Sequence, residues 1–471
     1  MGGLRVGKAN ALVPDASAEH PLVLSDPEQQ PLCVPDAYLE ASAPFNVMQG
    51  YEAYVLANSI KNPRKIAIDR SNHILVVAGG EGVYSIRMDK CGNTDIKKIL
   101  GNELDQPVAH GLALFGHSVY VATANSVYQF AYSDGQHSEL KNGVKVLTNI
   151  NPSNPNAQPD VAIDPFGHAY VPRSAVGLQS DVDPRQAIIK KFNFRAVPEG
   201  GYDFETDGQI HAFGTNSVGS MAFDAQARLW GIDAPFESFQ RADIGGDVSQ
   251  TGLAEEVNLY EFPQHNYGYP YCFTEYNMES YTPRFKGLGA QWAHPAFMND
   301  SVDMDSYCQQ EERNRRPAVP LAPGVHAHSI YFYMGTFCSV GDLETLATSV
   351  GLPCNWTDTP IVAYHGVSGQ SQGHSVVHLP FDDLGHVSRW DKPEEVIFAA
   401  ASPCTGAGCI SPIDIAVDGY GRLIISSDES NEIFLVHRIY NELAAQMLTD
   451  KDNKKEALKE AAEEALEGDD N

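Results

Sequence analysis

The chain has 471 residues, 43% of them hydrophobic, so it can bury a large core. Its formal charge is −29, from 32 basic and 61 acidic residues, which excludes a nucleic-acid or anionic-membrane partner that would need a basic face. No run of about 18 apolar residues occurs to cross a bilayer as a helix. Eight cysteines, an even number with no C-x-x-C pair, suit disulfides better than zinc. Cys404 and Cys409 close a short loop, and Cys338 and Cys354 flank another. Sequons at Asn299 and Asn355 add to a reading of a secreted, extracellular monomer, although Met1 to Pro14 has no long apolar core to act as a signal.

Residues 1–50 are rich in Pro and Ala and read as an N-terminal arm. From about residue 51 a repeat appears, of the form apolar-Ala-apolar-Asp, a short turn, then an apolar strand. Ile66-Ala-Ile-Asp69 leads to Ile74–Val77, Val161-Ala-Ile-Asp164 to Ala169–Val171, Met221-Ala-Phe-Asp224 to Leu229–Ile232, and Ile415-Ala-Val-Asp418 to Leu423–Ile425. Leu112-Ala-Leu114 followed by Val119–Val121 is the same unit without the Asp. The physics is a hairpin. Asp bonds its own backbone at the turn, Gly or Asn supplies the tight conformation, and β-branched residues fill both strands. A further strand follows, as in Gly82–Ile86 and Glu432–Val436. Such units, spaced near 50 residues, predict propeller blades. Five are clear, and 235–410 holds candidate strands at 330–333, 361–364 and 375–379. The predicted fold is all-β, a six-bladed propeller over 51–440, with an acidic helical tail over 441–471 built from helix formers and Glu/Lys pairs.

The stretch Asn258 to Phe273 contains Asn266-Tyr-Gly-Tyr-Pro270, preceded by Glu255 and Glu256. Gly weakens a ladder and Pro lacks the donor, so this is a rigid aromatic loop at a strand end, either a packed corner or part of a ligand site. An acidic pair, Asn, then N-Y-G-Y-P resembles the signature of the pyrroloquinoline-quinone (PQQ) dependent sugar dehydrogenases of the glucose, sorbosone and pyranose type, most of all the fungal pyranose branch. That resemblance implies a six-bladed propeller holding PQQ and Ca²⁺ in the channel mouth, and a sugar substrate. By the same resemblance His110, in Ala109-His-Gly-Leu112, would be the catalytic base or face the cofactor. Asn216 and Thr215, in Gly214-Thr-Asn-Ser-Val-Gly219, and His365 and Gln370, in His365-Gly-Val-Ser-Gly-Gln370, would hold the cofactor. The backbone of Ala234 and Pro235, with Glu255 and Glu256, would serve calcium.

The chain departs from the family where cations are expected. Thr215, Gln370 and Ser411 stand in place of Arg, and Asn156-Ala-Gln-Pro-Asp160 in place of a His and a Thr-Arg-Thr. A buried carboxylate without a partner costs several kcal/mol, on the order of what one lost cation contact removes, so these departures predict weakened PQQ binding. Two alternatives follow: a non-catalytic secreted propeller that binds a carbohydrate or protein, and a calcium-dependent propeller hydrolase or lactonase. His326 and His328, two apart, would share a strand face and could join His365 or His374 on a transition metal.

Overall fold

The computed structural model describes residues 35–439 apart from 90, 102–103, 175–185, 217, 234–239, 249–251, 262, 279–285, 299–302, 341–348, 382–393 and 402–407, together with Lys454 and Lys455. The acidic helix expected beyond residue 440 falls almost wholly outside them.

Six sheets follow one another in chain order, antiparallel except where Tyr202–Asp203 and His265–Asn266 add in parallel at the outer edges of the second and third. Each begins with an inner strand: Pro63–Ile68, Val108–Phe115, Ala162–Ile163, Val218–Phe223, Ala327–Phe332 and Pro412–Val417. The first three blades fill out consecutively, through Thr94–Leu100, Val144–Thr148 and Gln209–Phe213. Blade four adds Leu229–Asp233, Glu255–Leu259 and, after a long excursion, Val319–Leu321. Blade five runs through Pro360–Tyr364 and Ser375–His378 to Glu395–Ala400, the region where the repeat is hardest to see in the sequence. Blade six uses Leu423–Ser427 and Glu432–Arg438, and takes its outer strand, Tyr51–Ala57, from the other end of the chain. That pairing closes the ring by joining the two ends of the described chain in one blade. Phe45–Val47, which the sequence reading placed in the arm, pairs with Glu395–Ala400 on blade five.

The apolar core is divided into six layers, one at each blade interface. Phe115, Tyr120, Val161 and Phe192 pack between blades two and three; Ile361, Phe398, Ile415 and Phe434 pack between five and six. Corresponding clusters join one to two, three to four, four to five and six to one. Central strands such as Ile74–Ala78 and Leu423–Ser427 are therefore buried on both faces, which is why they read as continuous apolar runs, whereas outer strands such as Thr94–Leu100 are half exposed.

The repeated Asp makes the turn it was expected to make. In Asp69, Asp164, Asp224 and Asp418, Oδ1 accepts the backbone N–H two and four residues on, at 2.8–3.0 Å. Oδ2 is left for a side chain: Tyr132, His168, Arg228 and Arg422 respectively. The N-Y-G-Y-P stretch is a packed corner. Tyr267 and Tyr269 are buried, Tyr267 donates to the Leu259 carbonyl, and Gly268 takes φ +115°, which a side chain would resist.

The excursion of blade four carries a two-stranded ribbon, Cys272–Thr274 with Gln291–Ala293, and a short helix, Met304–Cys308. Cys272–Cys308 ties them together. Cys338–Cys354 closes the second short segment picked out in the sequence. Cys91 and Cys409 are also disulfide-bonded; the expected Cys404–Cys409 loop lies outside the described residues. Asn355, one of the two sequons, is exposed.

Candidate active site

The starts of the six inner strands converge on the propeller axis and form two tiers. The upper tier is Arg64, His110 and His328, joined by His365 and Asp428 from strand-end loops. Arg64 Nη1 lies 3.2 Å from Asp428 Oδ2, Nη2 donates to Gln158 Oε1 at 2.5 Å, and Nε points at His110 Nδ1 at 3.4 Å. Guanidinium only donates, so His110 Nδ1 accepts and the proton of this ring sits on Nε2. Nε2 is buried and has no hydrogen-bond partner. Burial first, then His328, Arg64 and Lys65, hold His110 well below the usual histidine range, so it is neutral. Its ring centroid is 5.1 Å from that of His328, which is 6.4 Å from His365. His328 is pushed down to about 3 by burial and the nearby cations.

His365 is different. Nε2 meets Asp428 Oδ1 at 2.8 Å and Nδ1 meets the Gly366 carbonyl at 2.9 Å. Both partners are acceptors, so both nitrogens carry protons and the ring is an imidazolium. Burial opposes that charge, but the bond and charge of Asp428 outweigh it and raise the pKa. Conversely, burial works against Asp428, while His365 and Arg64 hold it below the usual carboxylate range.

The lower tier is a plug. Lys65 Nζ lies 3.2 Å from Asp160 Oδ2, 2.8 Å from Ser220 Oγ and 4.0 Å from Asp414 Oδ1. Ser329 Oγ donates to Asp414 at 2.5 Å. Asp160 and Asp414 also accept the backbone N–H groups of Met221 and Ile66. One side chain from each of five blades thus meets on the axis. Beneath them is an apolar chamber of about 60 Å³ lined by Ile66, Leu112, Met221, Ile330, Phe332 and Ile415 among others.

The predicted cofactor residues divide. His110 and His365 belong to the upper tier. Thr215 is fully buried, and its hydroxyl has no partner. Asn216 gives its backbone N–H to Asp233 Oδ2 at 3.0 Å. Gln370 sits exposed on a turn of the blade-five rim. His326 is exposed at φ +47° and precedes a register shift between Ala327 and Ser329, so it does not share the inward face of His328.

The predicted metal residues also divide. Ala234 and Pro235 lie outside the described residues. Glu255 turns to blade five and accepts the N–H groups of His326 and Ala327 at 2.8 and 2.7 Å, with burial raising it to about 7. Glu256, on the opposite face of the strand, accepts from Thr274 Oγ1 at 2.5 Å and Asn258 Nδ2 at 3.0 Å. It pairs across the ladder with Asp233; burial, then Asp233, raises it to about 8. Asn258 Oδ1 and the Tyr260 hydroxyl are buried next to each other nearby. Among the described residues no group of three His, Cys, Asp or Glu is arranged to hold a metal by itself.

Arg64, Lys65 and Asp428 were missed by the sequence reading. The signal was present. Four residues before each repeat Asp stand Lys65, Asp160, Ser220 and Asp414, and the same offset in blades two and five gives Gly111 and Ser329. One residue earlier stand Arg64, His110 and His328.

The ring-and-mouth architecture recurs in solved proteins. The holo form of the pyranose dehydrogenase PQQ domain from Coprinopsis cinerea superposes with a TM-score of 0.73 at 19% identity, over 86% of this chain and 100% of that one. A calcium structure of the Trichoderma reesei carbohydrate-active enzyme family AA12 gives 0.72 at 19% identity, over 86% and 99%. In sequence, the PQQ-dependent sugar dehydrogenase of Hypocrea jecorina is 22% identical over 418 residues, covering 83% of this chain and 88% of that protein. The PQQ-dependent pyranose dehydrogenase of Coprinopsis cinerea is 22% identical over 84% of this chain but only 55% of its own length. The family model described as TrAA12-like matches residues 45–439, and the chain belongs to that family.

Proposed function

We propose that this chain is a PQQ-dependent oxidoreductase that oxidises a CH–OH group of a sugar at the channel mouth. The reading is supported by the relatives and by one structural observation: two cationic groups, Arg64 and the His365 imidazolium, meet on Asp428 in the upper tier, and Arg64 also faces Nδ1 of His110, whose buried Nε2–H has no partner. PQQ is a planar acid bearing carboxylates, and such a group needs cations and donors when taken out of water. Arg64 and His365 restore part of the charge that Thr215, Gln370 and Ser411 do not supply, so the residues present fit the group. Arg64, His365 and His110 would hold it. When bound, the quinone supplies the sink for the two electrons released as CH–OH becomes C=O.

The chain's own residues supply the rest. His110, fixed as the Nε2–H tautomer, can donate but not act as the base. His328 is neutral and can accept a hydrogen bond from the sugar hydroxyl, orienting it. Asp428 holds His365 protonated and oriented. The Lys65 plug closes the floor, so water does not enter from the axis below.

Calcium belongs to the same proposal. Glu256 and Asn258, with the backbone after Asp233, would hold it, since the carboxylate and the buried amide oxygen are the oxygen donors a hard cation takes. Glu255 is committed to the backbone of blade five instead. We also place the protein in an oxidising, secretory setting, which its disulfides support.

The test is a titration of the full chain with PQQ, with and without Ca²⁺, by absorbance and calorimetry. Micromolar or tighter binding that weakens about 100-fold in Arg64→Gln, as loss of a charged contact of about 2.7 kcal/mol requires, supports the reading. A folded wild-type chain that ignores millimolar PQQ overturns it.

A further inference from the structure

The inner strands share a second feature. In five of them the ladder slips at the entry to the axis: between Pro63 and Ile66, Val108 and Leu112, Val218 and Met221, Ala327 and Ser329, and Pro412 and Asp414. Such bulges re-aim a side chain and disrupt the ladder locally. Arg64, His110 and His328 each stand inside one.

The bulge of blade five is held by a side chain of blade four. Gly324 takes φ +77° and His326 φ +47°, so N–H groups close together in the chain turn toward one point and form an anion cradle. Glu255, itself buried, fills it. Its Oε1 accepts the His326 N–H at 2.8 Å and its Oε2 that of Ala327 at 2.7 Å, and the Gly324 N–H is directed at the same carboxylate. The carbonyls of this segment then carry the next loop. The His326 carbonyl accepts the His365 N–H and the Val325 carbonyl the Gly366 N–H, both at 3.0 Å. The Gly366 carbonyl in turn meets Nδ1 of His365. On the other side, a Cβ on Gly219 of blade four would come within 2.7 Å of the His328 carbonyl, so glycine there lets that backbone pack close. Ser329, the next residue, is bonded to Asp414. Two histidines of the upper tier, His328 and His365, thus hang from one clamped segment.

We propose that Glu255 is a positioning residue for the mouth: it clamps segment 325–327 and through that backbone sets where the His328 and His365 rings stand. A carboxylate suits the task because it accepts on both oxygens, whereas a glutamine offers one oxygen and turns its NH₂ toward the second N–H. The acidic pair Glu255 and Glu256 then has two separate duties, the first on blade five and the second beside Asp233.

The role of the two rings rests on the dehydrogenase reading, but their placement is read on the quinone-free chain, so the two can fail separately. The full chain, labelled with ¹⁵N in histidine and tryptophan, is followed by NMR in wild type, Glu255→Gln and Glu255→Leu, with the ring signals assigned through His328→Gln and His365→Gln. The indole N–H of Trp230, bonded to Asp224 at 2.9 Å, reports the fold of blade four. Both ring signals should move in both variants, less in Glu255→Gln, while Trp230 keeps its wild-type position. PQQ affinity should fall about tenfold in Glu255→Gln, the low end of what removing an outer group that orients a ligand costs. If Glu255→Leu does not fold, Glu255→Gln carries the reading. Ring signals at their wild-type positions in folded variants overturn the proposal. So does a displacement of Trp230 as large as that of the rings, which would make Glu255 a packing residue of blade four. If the rings answer to Glu255 while PQQ does not bind wild type, the dehydrogenase reading fails and the clamp stands.

Discussion

At the far end of the inner strands, four blades repeat one device. Asp69, Asp164, Asp224 and Asp418 each fold the same turn with the same two backbone bonds. At the near end, equivalent positions carry Lys65, Gly111, Asp160, Ser220, Ser329 and Asp414, and just above them Arg64, His110 and His328. The first set is local, and each copy works alone. The second works only once the ring closes, because its partners come from different blades. A feature repeated blade after blade therefore serves the fold, whereas a position at which each blade differs can serve a site on the axis.

If that division holds, breaking a turn should cost stability and leave the mouth chemistry intact. The largest effect is expected for Asp418→Ala. Arg422 is 2% exposed and hydrogen-bonded to Asp418, so removing the carboxylate strands a buried guanidinium and two N–H groups. A loss of about 3 kcal/mol is expected in denaturant unfolding. A loss under about 1 kcal/mol would mean that the turn is held by its neighbours instead.

Next is the plug. Lys65→Met leaves Asp160 and Asp414 facing each other without a cation, at a cost of about 2–3 kcal/mol at pH 8. Burial already raises Asp414, so acidification should restore much of this loss by protonating it. Lys65→Met/Asp160→Asn should recover stability at all pH values. A single variant whose deficit is the same at pH 5 and pH 8 would show that packing, not charge, holds the axis.

A third effect lies between fold and site. Glu256 is raised from an ordinary 4.5 to about 8 by burial and Asp233. The folded state then binds more protons than the unfolded chain between those values, so stability falls as pH rises through that window and levels off above it. Glu256→Gln should flatten this slope. Added Ca²⁺ should flatten it too, in wild type only, if Glu256 is a ligand. A slope unchanged by Glu256→Gln would assign it to other carboxyls.

The repeat was legible in sequence because hairpin turns and apolar strands are local patterns, and five blades could be counted from them. Blade five was obscured because its strands are separated by loops such as 333–359, and its first turn lacks the Asp. The site was half legible. His110 and His365 were found through short motifs, but Arg64 was passed over because it lies outside any motif and acts through Asp428, 364 positions away in the chain. Glu255 and Glu256 look like a pair in sequence, yet a strand sends neighbours to opposite faces, and only Glu256 faces Asp233.

The smallest expected effect on stability is also the sharpest test of the comparison. Asn156 is exposed and its side chain touches no partner among the described residues. Asn156→Ala should therefore change unfolding free energy by no more than about 0.5 kcal/mol. Its backbone N–H bonds to Asn154 Oδ1 and survives the change. A residue that costs nothing to remove from the fold is free to be chosen for what it binds. Asp418 is the opposite case, since nearly all of its bonding capacity is spent inside the protein. If Asn156→Ala proved as destabilising as the turn variants, this part of the rim would be structural, and the separation between a repeated fold and an unrepeated mouth would fail there.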